Sequence, residues 1–558
     1  MNEYERDYNY DIRFPARRKL ILFLIISFSL FTLIFLTVEI ENWRGRSAWN
    51  KYQREAEAKG ETFDILKLAP PQVPAESNFA SVPMFAKLFE FDRDSTGKPK
   101  LRAAGEFNEN VFNVNGVTTN PSPDSGNWII GRKIDLSEWQ TYYQKVRMET
   151  NDWRSQSRYE DRYGKTDTSG KWTDHVFPVP DEPGTPANDV LIALSKFDAP
   201  LAELRIGSGR RFSRFPINYE DNTLAFYPHL QMLRQSPYLL TLRALANLEV
   251  RRHEEAAADV ILNFRVANAV RAEPSLISQY ARIAMITTAL HALWEGIDEQ
   301  AWNDTQLLAF QKEVMKFDFL ESYQLTMRGE RAFNKLTMEM VRTNRSELGY
   351  SCLCDAENGD GFKLRNAHYY LMPDGWFYQN QLTISRLHEF ALTFVDPASR
   401  RIHKNKLTQL SNAQSDSHRG FAPYNMFVGM LFSGGYKPVL KFAFAQTAID
   451  QAMLACALER HRLANGSFPE SLTELAPGFI DKIPHDIMNG EPLKYRRTDD
   501  GKFILYSVGW NEANDGGTLA LTSTGRSIRT EEGDWVWQYS TNFTTKNPSA
   551  DVPDSAFR

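Results

Sequence analysis

The sequence predicts a mainly α-helical chain with α+β parts, and three observations lead to this fold class. An uncharged, apolar run covers Leu20–Val38 and is long enough for a transmembrane helix. Apolar residues recur at three- and four-residue spacing within residues 222–344, which predicts a central helical array. A long helix pattern begins at Pro438 and strand-like runs follow it, which predicts a C-terminal long helix plus a small antiparallel sheet.

Composition narrows the class of protein further. The 558 residues are enough for more than one domain, and 42% hydrophobic residues are enough to build cores. The net charge of −5 is small, and no long basic stripe is present, so we expect no nucleic-acid partner. Three cysteines, at 352, 354 and 456, are too few for a disulfide scaffold, and their spacing does not match a zinc site.

The apolar run has the length and flanks of a single-pass membrane anchor. At about 1.5 Å per residue it spans a hydrocarbon core of roughly 30 Å. Arg17-Arg18-Lys19 precedes it, whereas Glu39 and Glu41 follow it. The positive-inside tendency therefore places the N-terminus in the cytoplasm and the bulk of the chain outside, in a bacterial inner membrane. No A-x-A-like site closes the run, which favours a retained signal anchor over a cleaved signal peptide.

The rest of the chain divides by changes in composition and period. Trp43 and Trp49 are predicted at the membrane interface, and the polar stretch Val395–Arg419 is predicted as a polar connector and loop. The predicted regions are a cytoplasmic N-terminus 1–19, a transmembrane helix 20–38, a juxtamembrane helix and Pro-rich linker 39–77, a loop-rich mixed region 78–221, the helical array 222–344, a connecting helical and loop region 345–437, the helix-plus-sheet module 438–540 and a mobile tail 541–558.

Within the array, five segments have the helical period, and short connections favour antiparallel neighbours. These segments are Leu239–Val250, Glu254–Val270, Ser275–Trp294, Asp304–Phe317 and Glu321–Thr343. Upstream of them, Gly207-Ser208-Gly209-Arg210-Arg211 has the residue types of an anion cradle. Because it lacks a preceding strand and a Walker lysine, we interpret it as a helix stop.

The C-terminal module has a recognisable order of turn and strand signals. Its helix ends at Asn465-Gly466, and Phe468-Pro469, Ile483-Pro484 and Asn489-Gly490 supply turns before the strand-like runs Pro492–Arg496 and Lys502–Val508. In this order the module resembles the soluble domain of type II secretion major pseudopilins and related type IV pilin-like proteins. The whole chain resembles uncharacterised bacterial membrane-anchored proteins with such a tail. About four hundred residues separate the span from the module's helix, so we expect a docked module and not a polymerising subunit.

The resemblance implies one metal site. Major pseudopilins bind calcium in a loop after the strand equivalent to Leu505–Gly509. Here that loop supplies hard oxygen ligands, which calcium prefers. The implied ligands are Glu512 and Asp515, assisted by Asn511 and Asn514. No other cofactor is predicted.

The leading functional hypothesis is non-enzymatic, because no G-x-S-x-G, H-E-x-x-H, P-loop or kinase motif is present and no catalytic residue can be named. It is a membrane-anchored extracytoplasmic protein with a structural, assembly or binding role among envelope proteins, beside a secretion or pilus-like system. One alternative is an envelope hydrolase, whose site would lie between the helical body and the mixed region and hold a His–carboxylate or carboxylate pair. Another is a carbohydrate- or peptide-binding module that uses the aromatic residues Tyr369, Tyr370, Trp376 and Tyr378.

Overall fold

The computed structural model describes residues 16–93, 99–101, 111–115, 121–150, 177–220, 227–345, 372–417 and 423–540. The predicted tail 541–558, most of the predicted cytoplasmic segment, Cys352, Cys354, Tyr369 and Tyr370 lie outside these residues. The described chain is mostly helical, with small antiparallel sheets and one long apolar helix near the N-terminus.

Twelve helices of nine residues or more organise the described residues. They are α1 Ala16–Ala58, α2 Leu136–Thr150, α3 Pro186–Leu194, α4 Asp198–Ser208, α5 Pro228–Glu249, α6 His253–Asn268, α7 Leu276–Asp298, α8 Asp304–Val314, α9 Phe319–Thr343, α10 Asp374–Leu392, α11 Lys404–Ser417 and α12 Tyr436–Asn465. The strands are β1 Phe91–Arg93, β2 Pro99–Leu101, β3 Val395–Asp396, β4 Arg401–Ile402, β5 Lys494–Arg497, β6 Phe503–Ser507, β7 Leu519–Leu521, β8 Ile528–Gly533 and β9 Trp535–Trp537.

The chain forms two compact units. The small unit comprises Met1–Phe63, Asn334–Leu387 and Gln414–Phe432, and the large unit comprises Asp64–Phe333, His388–Ala413 and Ser433–Arg558.

The small unit contains α1, a single helix of 43 residues. Its first half carries large apolar side chains that are all more than half exposed, from Leu20 at 57% to Leu36 at 51%. Its second half enters an aromatic core, where Trp49 lies 5.4 Å from the ring of Phe63 and packs with Leu382 of α10. Trp49, which we expected at the membrane interface, is 3% exposed because this core covers it, whereas Trp43 is exposed.

Two glycines allow α1 to approach α10 closely. A Cβ atom on Gly45 would overlap the carbonyl oxygen of Gly375, and one on Gly375 would overlap the carbonyl oxygen of Glu41. The Gly375 N–H also donates to Oδ1 of Asn42 at 2.9 Å. Any side chain at either glycine would therefore separate the two helices. A second core of this unit is formed by Met338, Val341, Met372, Phe377, Ile384, Phe427 and Val428.

The large unit is built on an antiparallel array in which α5 packs on α6 and α7, and α6 packs on α8. Helix α5 begins at Pro228, eleven residues before the predicted start, and continues through Pro237. Proline at this position leaves the carbonyl oxygen of Leu233 without its helical N–H donor. The Ser236 hydroxyl donates to that oxygen at 2.9 Å, which explains why the helix is not broken there.

Helix α12 packs against α7, α8 and the strands β6, β8 and β9. It starts after Gly435, holds Pro438 in its first turn, and ends at Gly466, whose φ of 79° suits a left-handed cap. The sheet behind it has the order β5-β6-β9 with antiparallel pairing, and Leu505 faces Trp537. A β7–β8 hairpin, which the sequence did not predict, is inserted between β6 and β9.

One predicted loop is a helix. The stretch from Val395 to Arg419, expected to be a polar connector, forms the β3–β4 hairpin and α11. The prediction failed because α11 shows no continuous apolar stripe: among its described side chains, Leu407 and Leu410 supply the buried apolar contacts. A helix with two anchoring leucines gives too weak a period to be read from sequence.

Candidate binding cleft

A cleft of about 640 Å³ lies within the large unit, lined by α5, α7 and the loop of the mixed region that precedes α2. Its described lining carries no Asp, Glu, Lys or Arg side chain. The aromatic residues of the lining are Phe112, Trp128, Trp139 and Tyr238, and the amide and hydroxyl residues are Asn113, Asn115, Ser122, Ser125, Asn127, Gln235, Thr241, Thr287 and Thr288.

Asn127 and Trp128 hold the loop in place. The Asn127 side chain accepts a hydrogen bond from the Ile129 N–H at 3.1 Å and so caps a 3-10 turn, which Gly131 ends at a φ of 72°. Trp128 is buried, and its Nε1–H donates to the carbonyl oxygen of Thr287 on α7 at 2.8 Å. The loop wall of the cleft is therefore fixed to the helical wall.

Helix α7 presents Thr287, Thr288 and His291 to the cleft, three positions that share one side of a helix. Both threonine hydroxyls donate to backbone carbonyls of their own helix, at 2.9 and 3.1 Å. A hydroxyl oxygen that donates its hydrogen still has lone pairs that can accept. This wall can therefore receive donors such as ligand hydroxyl or amide groups.

A buried donor and a buried acceptor of the lining have no hydrogen-bond partner among the described residues. They are Nε1 of Trp139 and Oδ1 of Asn115. Trp139 is only 4% exposed, so its indole N–H is shielded from bulk solvent. A buried polar group left unsatisfied costs about 1–3 kcal/mol. One unpaired donor and one unpaired acceptor in an uncharged, aromatic cleft are the pattern of a site that pairs with an uncharged polar ligand.

A histidine–carboxylate pair stands in the same wall. His291 Nε2 lies 2.6 Å from Glu295 Oε1, and both side chains are about 5% exposed. The same Glu295 oxygen accepts the Ile134 N–H at 2.8 Å, which ties the pair to the loop. A carboxylate at this position orients the imidazole, as in catalytic dyads. Among the described residues of the lining, His291 is the one histidine, and no aspartate, glutamate or lysine lines the cleft beside it.

The predicted calcium loop is formed and exposed, and side-chain oxygens of Asn514 and Asp515 accept hydrogen bonds from neighbouring groups. Asn511 Nδ2 donates to Asp515 Oδ2 at 2.9 Å, and Asn514 Oδ1 accepts from Tyr506 Oη and the Gly516 N–H, both at 3.1 Å. Glu512 has a φ of 60° and lies on the loop surface. No group of three His, Cys, Asp or Glu side chains suited to a metal occurs in the part of the chain that the structure describes. The calcium site stays a prediction.

Sequence reasoning missed the residue that shapes this loop. Asp534, which is 1% exposed, accepts the Asp515 N–H at 3.3 Å and the Gly517 N–H at 2.7 Å. Burial raises the pKa of its carboxyl above the usual value for aspartate. The available signal was Gly533-Asp534 between two strand-like runs, but nothing in the sequence connects it to a loop some twenty residues upstream.

Of the aromatic residues that suggested a carbohydrate platform, the two that the structure describes pack against the cores of the small unit. Trp376 packs against the second core of the small unit, and Tyr378 packs against the core around Trp49. Tyr378 also lies beneath the guanidinium of Arg342, 5.0 Å from ring centroid to Cζ. The residues that line the cleft were not singled out from sequence, because their loop is polar and shows no motif, although the predicted location between helical body and mixed region coincides with the cleft.

Comparison with known proteins adds no relative. Neither a family model, nor a curated protein, nor a solved structure matches this chain.

Proposed function

We propose that this chain is a single-pass, membrane-anchored binding protein of the bacterial envelope, whose body takes an uncharged, hydroxyl-rich ligand in the cleft. The observation that carries the binding role is the pair of unpartnered buried atoms, Trp139 Nε1 and Asn115 Oδ1, in a lining without charged side chains. Aromatic rings beside amides and hydroxyls suit a neutral carbohydrate, which offers apolar C–H faces and many hydroxyl groups.

Helix α1 supports the anchor. Its exposed apolar half has a mean hydropathy of 2.7 over the best window and no buried residue in that window. A signal sequence would meet the same description, but α1 continues without a break into the core of the small unit through Trp49, Tyr52 and Ala56. Cleavage after the apolar half would leave the start of a core helix as a free end. We therefore propose that the span is retained in the mature protein, with residues 1–19 in the cytoplasm.

The C-terminal module supports the assembly part of the role. A 30-residue helix followed by an antiparallel sheet that packs on it is the arrangement we expect of a pseudopilin-like module. In this protein α12 is covered by other helices of the same unit, which fits a module that stabilises a body and not one that polymerises. We also propose that the chain contacts other envelope proteins, beside a secretion or pilus-like system.

Binding of neutral oligosaccharides tests the cleft. The full chain in a neutral detergent would be titrated with glucose- and N-acetylglucosamine-based oligomers by isothermal calorimetry. Saturable binding is expected, and Asn115→Ala should weaken it about tenfold, because one hydrogen bond to a buried acceptor is lost. Trp139→Phe keeps a six-membered aromatic ring and removes the indole N–H together with the five-membered ring, and a similar loss of affinity is expected there because the donor is lost.

The matched control is Trp43→Phe, a tryptophan that is 72% exposed on α1. It should bind as the unsubstituted chain does. Absence of saturable binding to every oligomer, or equal affinity in the two cleft variants and the parent, would contradict the proposed ligand class.

A hydrolase is the second candidate, and the His291–Glu295 pair is the observation that favours it. The same titrations separate the two candidates, because a hydrolase would release shorter oligomers from the bound ligand. Such products, lost in His291→Gln while binding is kept, would replace the binding role with an enzymatic one.

A further inference from the structure

A second concave surface of the large unit carries the opposite chemistry from the cleft. This basic groove, of about 470 Å³, is lined by the loop after α4, the Pro-rich segment near Pro70, the turn between α6 and α7, and the end of α8. Six cations face it, namely Arg210, Arg211, Arg214, Arg265, Arg271 and Lys316, against a single described carboxylate, Glu313. The groove shares no lining residue with the cleft.

The one described carboxylate of the groove, Glu313, already accepts hydrogen bonds at both of its oxygens. Glu313 Oε1 accepts Nε and Nη2 of Arg265 at 3.0 and 2.8 Å, and its Oε2 accepts Nζ of Lys316 at 2.7 Å. Glu313 is 7% exposed, so these bonds keep it paired in a buried position. It cannot also neutralise the four remaining arginines, and the described residues form no ion pair with any of them.

Two of those arginines are held in place by backbone carbonyls. Arg210 Nη1 donates to the Asn78 carbonyl oxygen at 2.8 Å, and Arg214 Nε donates to the Pro70 carbonyl oxygen at 2.7 Å. A guanidinium has five N–H donors, so each retains donors beyond these bonds. Fixing a charged side chain in advance lowers the entropy lost when it binds an anion.

The loop itself is fixed by Asn78, which is 8% exposed. Its Oδ1 accepts the Arg214 N–H at 2.7 Å, and its Nδ2 donates to the Arg214 carbonyl oxygen at 2.9 Å. Phe212 pairs with the same segment, with its carbonyl oxygen 2.7 Å from the Phe79 N–H. In this loop Ser213 Oγ is buried and has no hydrogen-bond partner. The surface is therefore ordered and includes an unused hydroxyl.

Arg211 and Arg271 are the exposed cations of this groove that neither a carboxylate nor a backbone carbonyl engages. Arg211 contacts the ring of Phe212, with Cζ 5.2 Å from the ring centroid. Burial and the neighbouring positive charge of Arg271 lower the pKa of Arg282 on α7. A concentration of cations in a chain whose net charge is −5 requires an explanation beyond solubility.

From this geometry we infer that the basic groove is a binding site for a phosphate group. Arginine guanidinium groups pair with phosphate oxygens through two parallel hydrogen bonds, and several arginines converge on one concave surface here. Gly207-Ser208-Gly209-Arg210-Arg211, which reads as a helix stop from sequence, serves both purposes: α4 ends at Ser208, and the residues that follow line the groove. The phosphate belongs either to a soluble phosphate-bearing molecule or to a lipid headgroup.

The test is calorimetric titration of the full chain in a neutral detergent. The first arm uses inorganic phosphate. The second uses dihexanoyl phosphatidylglycerol below its critical micelle concentration, with dihexanoyl phosphatidylcholine as its zwitterionic counterpart. Saturable binding in the first arm alone identifies a soluble ligand, and tighter binding of the anionic lipid than of phosphate identifies a headgroup. Affinity should fall as ionic strength rises.

The decisive variant is the double substitution Arg211→Gln with Arg271→Gln, because neither side chain supports the fold through an ion pair. It should weaken binding about tenfold or more. The matched control is Arg234→Gln with Arg496→Gln, two exposed arginines outside the groove, which should bind as the parent does. Unchanged affinity in the groove variant, an equal loss in the control, or no saturable binding in either arm would overturn the assignment.

Discussion

The two longest uninterrupted apolar helices of this protein, α1 and α12, differ in what surrounds them. In α1 the large side chains between Leu20 and Leu36 are each more than half exposed, and no protein group covers them. In α12 most side chains from Val439 to Leu458 are buried by helices and strands of the large unit. The apolar side chains of α1 are therefore exposed in the structure, whereas those of α12 are covered by the protein itself.

Polar residues distinguish the two helices in the same way. Within the apolar half of α1, Thr32 and Thr37 donate to carbonyls of their own helix at 2.8 and 2.7 Å, so these hydroxyls need no partner from another element. Helix α12 instead buries groups that need partners from elsewhere. Gln446 Oε1 accepts the Phe319 N–H at 2.7 Å, and Gln451 Nε2 donates to the Trp535 carbonyl oxygen at 2.7 Å. The hydroxyls of the exposed helix are therefore paired within that helix, and the amides of the covered helix are paired with other elements.

Charge placed in the exposed half of α1 should have the largest effect. Arg costs about 2.5–3.5 kcal/mol at the centre of an inserted helix, so Ile26→Arg with Leu30→Arg should prevent membrane insertion. The measurement is resistance of the chain to carbonate extraction from membranes. The matched pair Ile206→Arg with Ile277→Arg replaces exposed apolar residues of the large unit, at 63% and 56% exposure, and should leave extraction unchanged. An α1 double variant that stays embedded would refute the anchor.

The second largest effect is expected from truncating one leucine in α12, compared with the same truncation in α1. Leu454 of α12 is fully buried, so Leu454→Ala should lower the free energy of unfolding by about 2–5 kcal/mol. Leu30→Ala removes the same atoms from a side chain that is 56% exposed, and should change the free energy of unfolding by about 0.5 kcal/mol or less. Urea unfolding of the detergent-solubilised chain provides the comparison. Equal losses in the two variants would show that α1 is also covered by protein.

A smaller effect is expected from the buried carboxyl of Asp450 on α12, which should make the stability of the protein depend on pH. Burial raises the pKa of Asp450 from 3.8 to about 6, although Arg400 pairs with both of its oxygens at 2.9 and 2.8 Å. Gln446 also donates to this carboxyl, and Asp318 adds a repelling charge. A carboxyl that holds its proton more tightly in the folded state favours unfolding when it ionises. Its contribution to stability is therefore complete at low pH and lost as pH rises from about 4 to above 6.

The size of that loss is at most about 3 kcal/mol, from two pKa units at 1.36 kcal/mol each. Asp450→Asn should remove this part of the slope of unfolding free energy against pH, as measured by urea titrations at pH 4, 5, 6 and 7. Identical slopes in the variant and the parent would show that another group controls the dependence.

How much could be predicted from the sequence varied with the range of the interactions. The five helices of the array and the C-terminal helix were predicted because their apolar period is local and strong. The start of α5 was missed because Pro237 reads as a break unless the Ser236 hydroxyl is seen to replace the lost donor. The β7–β8 hairpin and α11 were missed because neither carries a strong apolar period.

The site shows the same division. Amides, hydroxyls and tryptophans of the cleft come from residues 112–139 and from residues 235–291, and no spacing rule connects these two parts of the chain. The basic groove was named only in part, through Arg210 and Arg211, because Arg214, Arg265, Arg271 and Lys316 join them only in three dimensions.

By itself, the sequence determined the apolar span, the helical period of the array and the order of the C-terminal module, because each depends on residues close together along the chain. Only the tertiary structure showed which helices and strands cover α12 and that the apolar half of α1 stays exposed, since these partners lie far away in sequence. It also decided which buried polar atoms keep a partner. The unpaired Trp139 Nε1 and Asn115 Oδ1, on which the proposed function rests, can be recognised only after every neighbour is in place.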